Sequence, residues 1–360
     1  MKIKNILIFN PFGIGDVLCS TPLVRNLKQS LPESSITYIC NRRAYPLLKN
    51  NTFIDKILIF EKDEWKHTAR QSKIKFLQKA FSFWQEIKKE KFDVVFDLSM
   101  NSQYGFFLKT TGIKLRIGFD FKKRGRFLTH KIDLSQGFRD KHVAKYYLDL
   151  LKFLNITPKD YNYDLFISEN SKKQAKAFLR NHNLDEDCLL LGVCPGSGDS
   201  WGKTAYYRRW PKDNFVALCD MLNSIPKVKI ILFGSKTEAD ICEYVYEKTK
   251  IKPLNLCAKI GLEQFCSLFS LCTFIITNDG GPFHIGRALK KKGAAFFGPV
   301  DEKVYGVYPN EGACLVFKKE ISCRPCYNKF KFNGCNFDKK CLRQINPEDV
   351  FTAIKDKFLL

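Results

Sequence analysis

Short apolar runs alternate with longer amphipathic stretches along the whole chain. In the first half, Lys4 to Phe9, Ser35 to Cys40, Lys56 to Phe60 and Asp93 to Leu98 are nearly unbroken apolar runs of strand length. Between them, Asp16 to Leu31, Ala44 to Asn50 and Ile74 to Lys89 repeat their apolar residues at helical spacing. The second half repeats the pattern, with strands predicted at Leu189 to Cys194, Val228 to Phe233, Phe274 to Thr277 and Ala294 to Phe297. Its helices are predicted at Pro211 to Leu222, Thr237 to Lys248, Leu262 to Leu268 and Gly281 to Leu289. Strand and helix in alternation predict an α/β fold with parallel sheets covered by helices.

The 360 residues suggest two domains at about 150 residues each. A helix over Lys141 to Leu154 is followed by a polar stretch rich in Asn and Tyr, so the boundary is expected near Pro158 to Ser171. This gives Rossmann-like domains at 1–165 and 166–345, then a C-terminal helix at 346–360 opened by the cap Asn346-Pro347. With 45% hydrophobic residues, both domains can fill a core. No apolar run reaches the roughly 20 residues of a membrane span, and the N-terminus does not read as a signal peptide.

A formal charge of +23 changes the picture. It reads either as lysines spread over solvated faces or as an attraction for polyanions. Residues 101–150 hold eleven Lys and Arg against four Asp and Glu, with the run Lys122, Lys123, Arg124, Gly125, Arg126. Such a basic, aromatic-flanked loop suits a membrane surface or an anionic acceptor. No motif of a nucleic-acid-binding module is present, so no nucleic acid is expected.

Three loops after strands carry candidate chemistry. The first, Asn10 to Asp16, holds Gly13 and Gly15, which are expected to let the backbone turn tightly, and Asp16. Asp16 reads either as the cap of the next helix or as a general base at the rim of a sheet. The second, Gly192 to Gly202, runs on to Arg208-Arg209-Trp210-Pro211. There Ser197, Ser200, Thr204, Lys203 and Arg208 are candidates for a shared phosphate, since an Arg fork matches phosphate oxygens. The third, Thr277 to His284, offers Gly280 and Gly281 amides at a helix N-terminus, with Asp279 and His284 beside them. After the strand at 228–233, Glu238 reads either as a ribose acceptor or as an exposed helix residue.

The order I-G-D, P-G, R-W-P, G-x-x-x-E and N-D-G-G-P-x-H resembles glycosyltransferase family 9, the ADP-heptose:lipopolysaccharide heptosyltransferases. The resemblance spans nearly the whole chain. It implies the GT-B architecture of two Rossmann-like domains facing across a cleft, and an inverting transfer from ADP-heptose that needs no metal. It makes Asp16 the base and Arg208 a phosphate contact, although the family often has Lys there. It gives Glu238 to the ribose and Asp279, Gly280 and Gly281 to the diphosphate, although the family usually has Thr where Gly280 stands. The acceptor implied is an anionic lipopolysaccharide core, bound by the basic N-terminal domain at the cytoplasmic, inner face of the membrane. Other nucleotide sugars, a protein or capsule acceptor, or a non-catalytic binding role remain as alternatives.

Of fourteen cysteines, ten are scattered singly in apolar segments and read as buried thiols. The other four follow Cys323-x2-Cys326-x8-Cys335-x5-Cys341. They read as a closed, structural zinc or iron site, as two disulfides, or as reduced thiols.

Overall fold

The computed structural model describes residues 3–184, 187–197, 199–309 and 311–359, with the backbone alone at 199, 200, 311 and 359. The chain divides into two compact units, Met1–Phe166 and Ile167–Leu360.

In the first unit six strands form one parallel sheet: β1 (Asn5–Phe9), β2 (Ser35–Cys40), β3 (Lys56–Ile59), β4 (Val94–Asp97), β5 (Leu115–Asp120) and β6 (His130–Asp133). Its helices are α1 (Ile14–Ser30), α2 (Tyr45–Leu48), α3 (Lys62–Gln71), α4 (Lys73–Lys89), α5 (Ser102–Thr110) and α6 (Val143–Asp149). The second unit also has a six-stranded parallel sheet: β7 (Leu189–Cys194), β8 (Val228–Leu232), β9 (Leu254–Asn255), β10 (Phe274–Asn278), β11 (Lys292–Phe296) and β12 (Cys314–Phe317). A two-stranded hairpin, β13 (Tyr327–Asn328) and β14 (Lys331–Phe332), stands outside it. Helices α7 (Glu169–Arg180), α8 (Lys212–Leu222), α9 (Ala239–Lys248), α10 (Leu262–Leu271), α11 (Gly281–Ala288), α12 (Glu302–Tyr305), α13 (Lys340–Arg343) and α14 (Pro347–Ile354) complete the unit.

The sheet orders are β3-β2-β1-β4-β5-β6 and, read from its other edge, β9-β8-β7-β10-β11-β12. Counted from each unit's own first strand, both run 3-2-1-4-5-6, the doubly wound Rossmann order. The α/β expectation with two Rossmann-like units therefore describes the chain. In each sheet the winding reverses between the first and fourth strands, β1/β4 and β7/β10. Ligands of such sheets bind outside the carboxyl ends of the strands at that reversal.

Central strands are mostly apolar and almost wholly buried because helices cover both of their faces. One core joins Leu7, Phe9, Ile39, Val95 and Ile87. Another joins Leu191, Val193, Trp210, Phe215, Phe274 and Phe296 to Val350 and Ile354 of α14. Asn346 caps α14 by accepting from the Glu348 amide.

Several elements departed from the sequence expectation. The helix predicted over Lys141 to Leu154 is α6 followed by a 3-10 turn from Leu150, and Lys236–Glu238 is a 3-10 turn ahead of α9. Strands β5, β6, β9 and β12, the hairpin, and helices α3, α5, α7, α12 and α13 were not anticipated.

Candidate active site

In the second unit the loop after β7 and the loop after β10 meet at the point of reversal. Asn278, the last residue of β10, makes the join: its Nδ2 donates to the carbonyls of Pro195 (2.9 Å) and Gly196 (2.8 Å), and its Oδ1 accepts from the Trp210 amide (2.8 Å). Ser197, buried, donates from Oγ to the Asp279 carbonyl. The candidates Ser197, Arg208, Asp279, Gly280, Gly281 and His284 are thus gathered in one place.

Arg208, the phosphate candidate, is engaged within the site. Its Nε (3.0 Å) and Nη2 (2.6 Å) both donate to Asp279 Oδ2. The pair is nearly dry, with side chains 11% and 1% exposed, and a buried guanidinium needs a carboxylate beside it. Asp279 Oδ1 is buried with no hydrogen-bond partner among the described residues, and Arg208 Nη1 lies outside the pair. The guanidinium also sits 4.7 Å over the Trp201 ring, a cation–π contact.

Gly280 is the N-cap of α11 and Gly281 its first residue, in front of Pro282. His284 lies one turn in and is buried; burial drives its pKa down to about 4, against an opposing pull from Asp279 and in concert with Arg208. It is neutral at pH 7.

Glu238 is not an exposed helix residue. It is 7% exposed, and its Oε2 accepts from the Ser235 amide (2.7 Å) in a capping box. Gly196 makes room for it: a Cβ there would fall 2.4 Å from Glu238 Cδ and Oε1. The carboxylate therefore lies against the loop that carries Ser197. Lys203 is exposed. Thr204 spends its hydroxyl on the Trp201 carbonyl (2.9 Å) within its own turn. The Ser200 side chain lies outside the described residues.

In the first unit Asp16 is not the cap of α1. Gly13 is, at φ −76° and ψ −178°, and Asp16 stands in the first turn, half-buried, where the helix dipole favours a carboxylate. That extended conformation suits any residue, so a tight turn is not why Gly13 is glycine. A Cβ there would meet nothing within 4 Å, which leaves the helix N-terminus open to approach. Gly15 lies inside α1. Asn10, fully buried at the end of β1, fixes the loop: its Nδ2 donates to the Asp16 carbonyl (3.2 Å) and the Tyr38 hydroxyl (3.0 Å).

The sequence profile described as "Glycosyltransferase family 9 (heptosyltransferase)" matches residues 80–336. The chain belongs to glycosyltransferase family 9. It is similar to the lipopolysaccharide core heptosyltransferase OpsX of Haemophilus influenzae, with 22% identity over 78% of this chain and 75% of that one. Its fold resembles that of a solved family 9 glycosyltransferase from Veillonella parvula (TM-score 0.81, 23% identity, 100% and 99% of the two chains covered). It also resembles E. coli heptosyltransferase WaaC, solved with ADP (TM-score 0.72, 17% identity, 98% and 99% covered).

In this family 9 glycosyltransferase Lys122, Lys123, Arg124 and Arg126 are exposed in the connection after β5. Because the sheet is parallel, that connection leaves the same edge as the Asp16 loop. All fourteen cysteines are free thiols, so the disulfide reading of the cluster does not hold. Cys323, Cys326, Cys335 and Cys341 do share a neighbourhood: burial first, and then the other three, raise Cys326 to about 11. Among the described residues, however, no three His, Cys, Asp or Glu side chains are arranged to hold a metal ion. As placed, the four thiols do not form the closed shell the spacing suggested.

Three polar residues at the active edges escaped the sequence reading: Asn10, Asp97 and Asn278. Each directly follows or ends an apolar strand run (L-I-F-N, V-V-F-D, I-I-T-N), and that shared pattern is the signal that marks them. Asp97, at the end of β4, is buried and raised to about 6 by desolvation, against hydrogen bonds from the Ser99 amide (3.0 Å) and hydroxyl (2.5 Å). Its folded pKa exceeds the ordinary carboxylate value of 3.8, so between those values the folded state holds the extra proton and stability falls as pH rises. Asp97→Asn keeps an acceptor for Ser99 and removes this dependence. Denaturant midpoints of the two proteins should diverge from pH 4 to pH 6 in favour of the variant; parallel profiles would sink the assignment.

Proposed function

We propose that this glycosyltransferase moves a heptose, or a sugar like it, from an ADP-sugar to a lipopolysaccharide core or related anionic glycan. The reading extends to inversion at the anomeric carbon without a divalent cation. The observation that carries it is the gathering of Arg208, Asp279 and the α11 N-terminus at the β7/β10 reversal of a family 9 chain. An arginine fork, loop amides and a helix dipole are a set that meets diphosphate charge.

The step follows from these groups. Asp16 takes the proton of the acceptor hydroxyl, the freed oxygen bonds to the anomeric carbon, and the bond from that carbon to the diphosphate oxygen breaks. Negative charge growing on the leaving diphosphate is met by Arg208, the exposed Lys203 and the amides of Gly280 and Gly281. Glu238 accepts from the ribose hydroxyls, Ser197 holds the Asp279 loop, and neutral His284 packs behind it. The relatives' names support heptose and lipopolysaccharide, and the WaaC structure with ADP supports the nucleotide. The basic first unit takes the acceptor. We place the protein in the cytoplasm, peripheral to the inner membrane.

Calorimetric titration with ADP-, UDP- and GDP-sugars, followed by analysis of the glycan product, tests this. ADP-heptose should bind best and transfer with inversion in the presence of EDTA. Failure to bind any nucleotide diphosphate would sink the reading. Trp201→Ala should raise the KM for donor by roughly 3–30-fold, the scale of a partly desolvated cation–π contact, with kcat little changed and recovery in Trp201→Phe. For the C-terminal thiols, elemental analysis of protein purified without chelator checks for zinc or iron. About one atom per chain, lost in Cys323→Ser, would give them a structural metal.

A further inference from the structure

Helix α4 has two apolar faces. One packs inward: Phe83 meets Phe60 (5.7 Å) and Phe107 (5.8 Å), and Ile87 is fully buried. The other faces out. Ile74, Leu77 and Phe81 are 70%, 63% and 58% exposed, which is unusual for large apolar side chains. Phe81 stacks on Trp84 (5.8 Å, 15°), and Lys88 lies 4.3 Å over the Trp84 ring. At about 100° per residue, positions 74, 77, 81, 84 and 88 fall within an arc of roughly 80°, one continuous stripe.

The stripe has basic surroundings. Between Lys73 and Lys89 there are five lysines and one acid, Glu86. Trp84 Nε1 donates to Thr110 Oγ1 (3.2 Å) at the end of α5, which carries exposed Phe106. Phe106 packs on Phe127 (5.2 Å), and Arg126 (4.8 Å) and Lys109 (5.7 Å) lie over that ring. The apolar stripe therefore leads into the Lys122 to Arg126 run.

We propose that the outward face of α4, continued by Phe106 and the 122–127 loop, docks on an anionic lipid surface with the helix lying in the plane of the headgroups. Aromatic and aliphatic side chains enter the headgroup boundary, and the lysines reach the phosphates around them. Among the described residues no helix is long and apolar enough to cross a membrane, so the helix lies on the surface. A second copy of this chain is disfavoured as the occupant, because it carries the same +23. The proposal deepens the reading of a lipid-linked acceptor but does not need that acceptor for its test.

Full-length protein is sedimented with vesicles of phosphatidylcholine alone, and with vesicles holding roughly one-third phosphatidylglycerol. Wild type should pellet with the second and stay free with the first. Ile74→Ser/Leu77→Ser/Phe81→Ser should weaken binding at least about tenfold, and Lys73→Gln/Lys75→Gln/Lys88→Gln should weaken it and flatten its salt dependence. An unchanged melting curve in each variant assigns the loss to the surface rather than to the fold. Equal pelleting of the Ser variant, no pelleting of wild type, or a dimer that the Ser variant abolishes would each overturn the proposal. ADP binding, measured on the same preparations, reports separately on the transferase reading.

Discussion

Asp16→Asn should lower kcat for sugar transfer by about 10²- to 10⁴-fold while leaving the affinity for ADP unchanged. The amide has the shape of the carboxylate but cannot take the acceptor proton. The fold should tolerate the change, since Asn keeps the shape of Asp and the helix-dipole share of a first-turn carboxylate is about 0.3–1 kcal/mol. Initial rates with a lipopolysaccharide-core acceptor, set beside ADP titration, separate chemistry from binding. A variant with the wild-type rate would show that another group is the base.

Arg208→Ala should lose both donor binding and stability. Asp279, 1% exposed, would become an unpaired charge in a dry site, at about 3–5 kcal/mol for breaking a buried pair. In a unit of this size that corresponds to a melting temperature lower by roughly 10 °C. The double change Arg208→Ala/Asp279→Ala removes the stranded charge, so its melting temperature should return most of the way without donor binding. If the double variant recovered ADP affinity as well, Arg208 would be structural only. Calorimetric melting and ADP titration on the three proteins decide it.

Long, strongly patterned elements were legible in the sequence. β7 and β2 have the predicted bounds because polar or turn-forming residues stand close to both ends of each apolar run, Asp187 and Pro195 for β7, Ser34 and Asn41 for β2. The elements that escaped have weak patterns for physical reasons. β6 is an edge strand with mostly exposed side chains, and β5 interrupts its apolar residues with Arg116 and Gly118. α3 buries none of its ten residues, so it has no apolar stripe to read. For the site, the sequence supplied the loops and their residue types but not their pairings. Arg208 and Asp279 are 71 positions apart, and only the sheet order brings them together. The burial of Glu238 follows from the missing side chain of Gly196, a steric fact with no periodicity behind it.

If the donor diphosphate binds as proposed, the Arg208–Asp279 pair also makes the site a threshold detector. An incoming anion must compete with a carboxylate already seated on the guanidinium, so one carrying little charge gains little by displacing it. In the proposed reading a diphosphate brings more charge, with oxygens for the Nη1 edge and the α11 amides at once, and so competes with Asp279 where a weaker anion does not. A protein with a formal charge of +23 meets polyanions everywhere, and an internal rival of this kind would keep Arg208 from answering all of them.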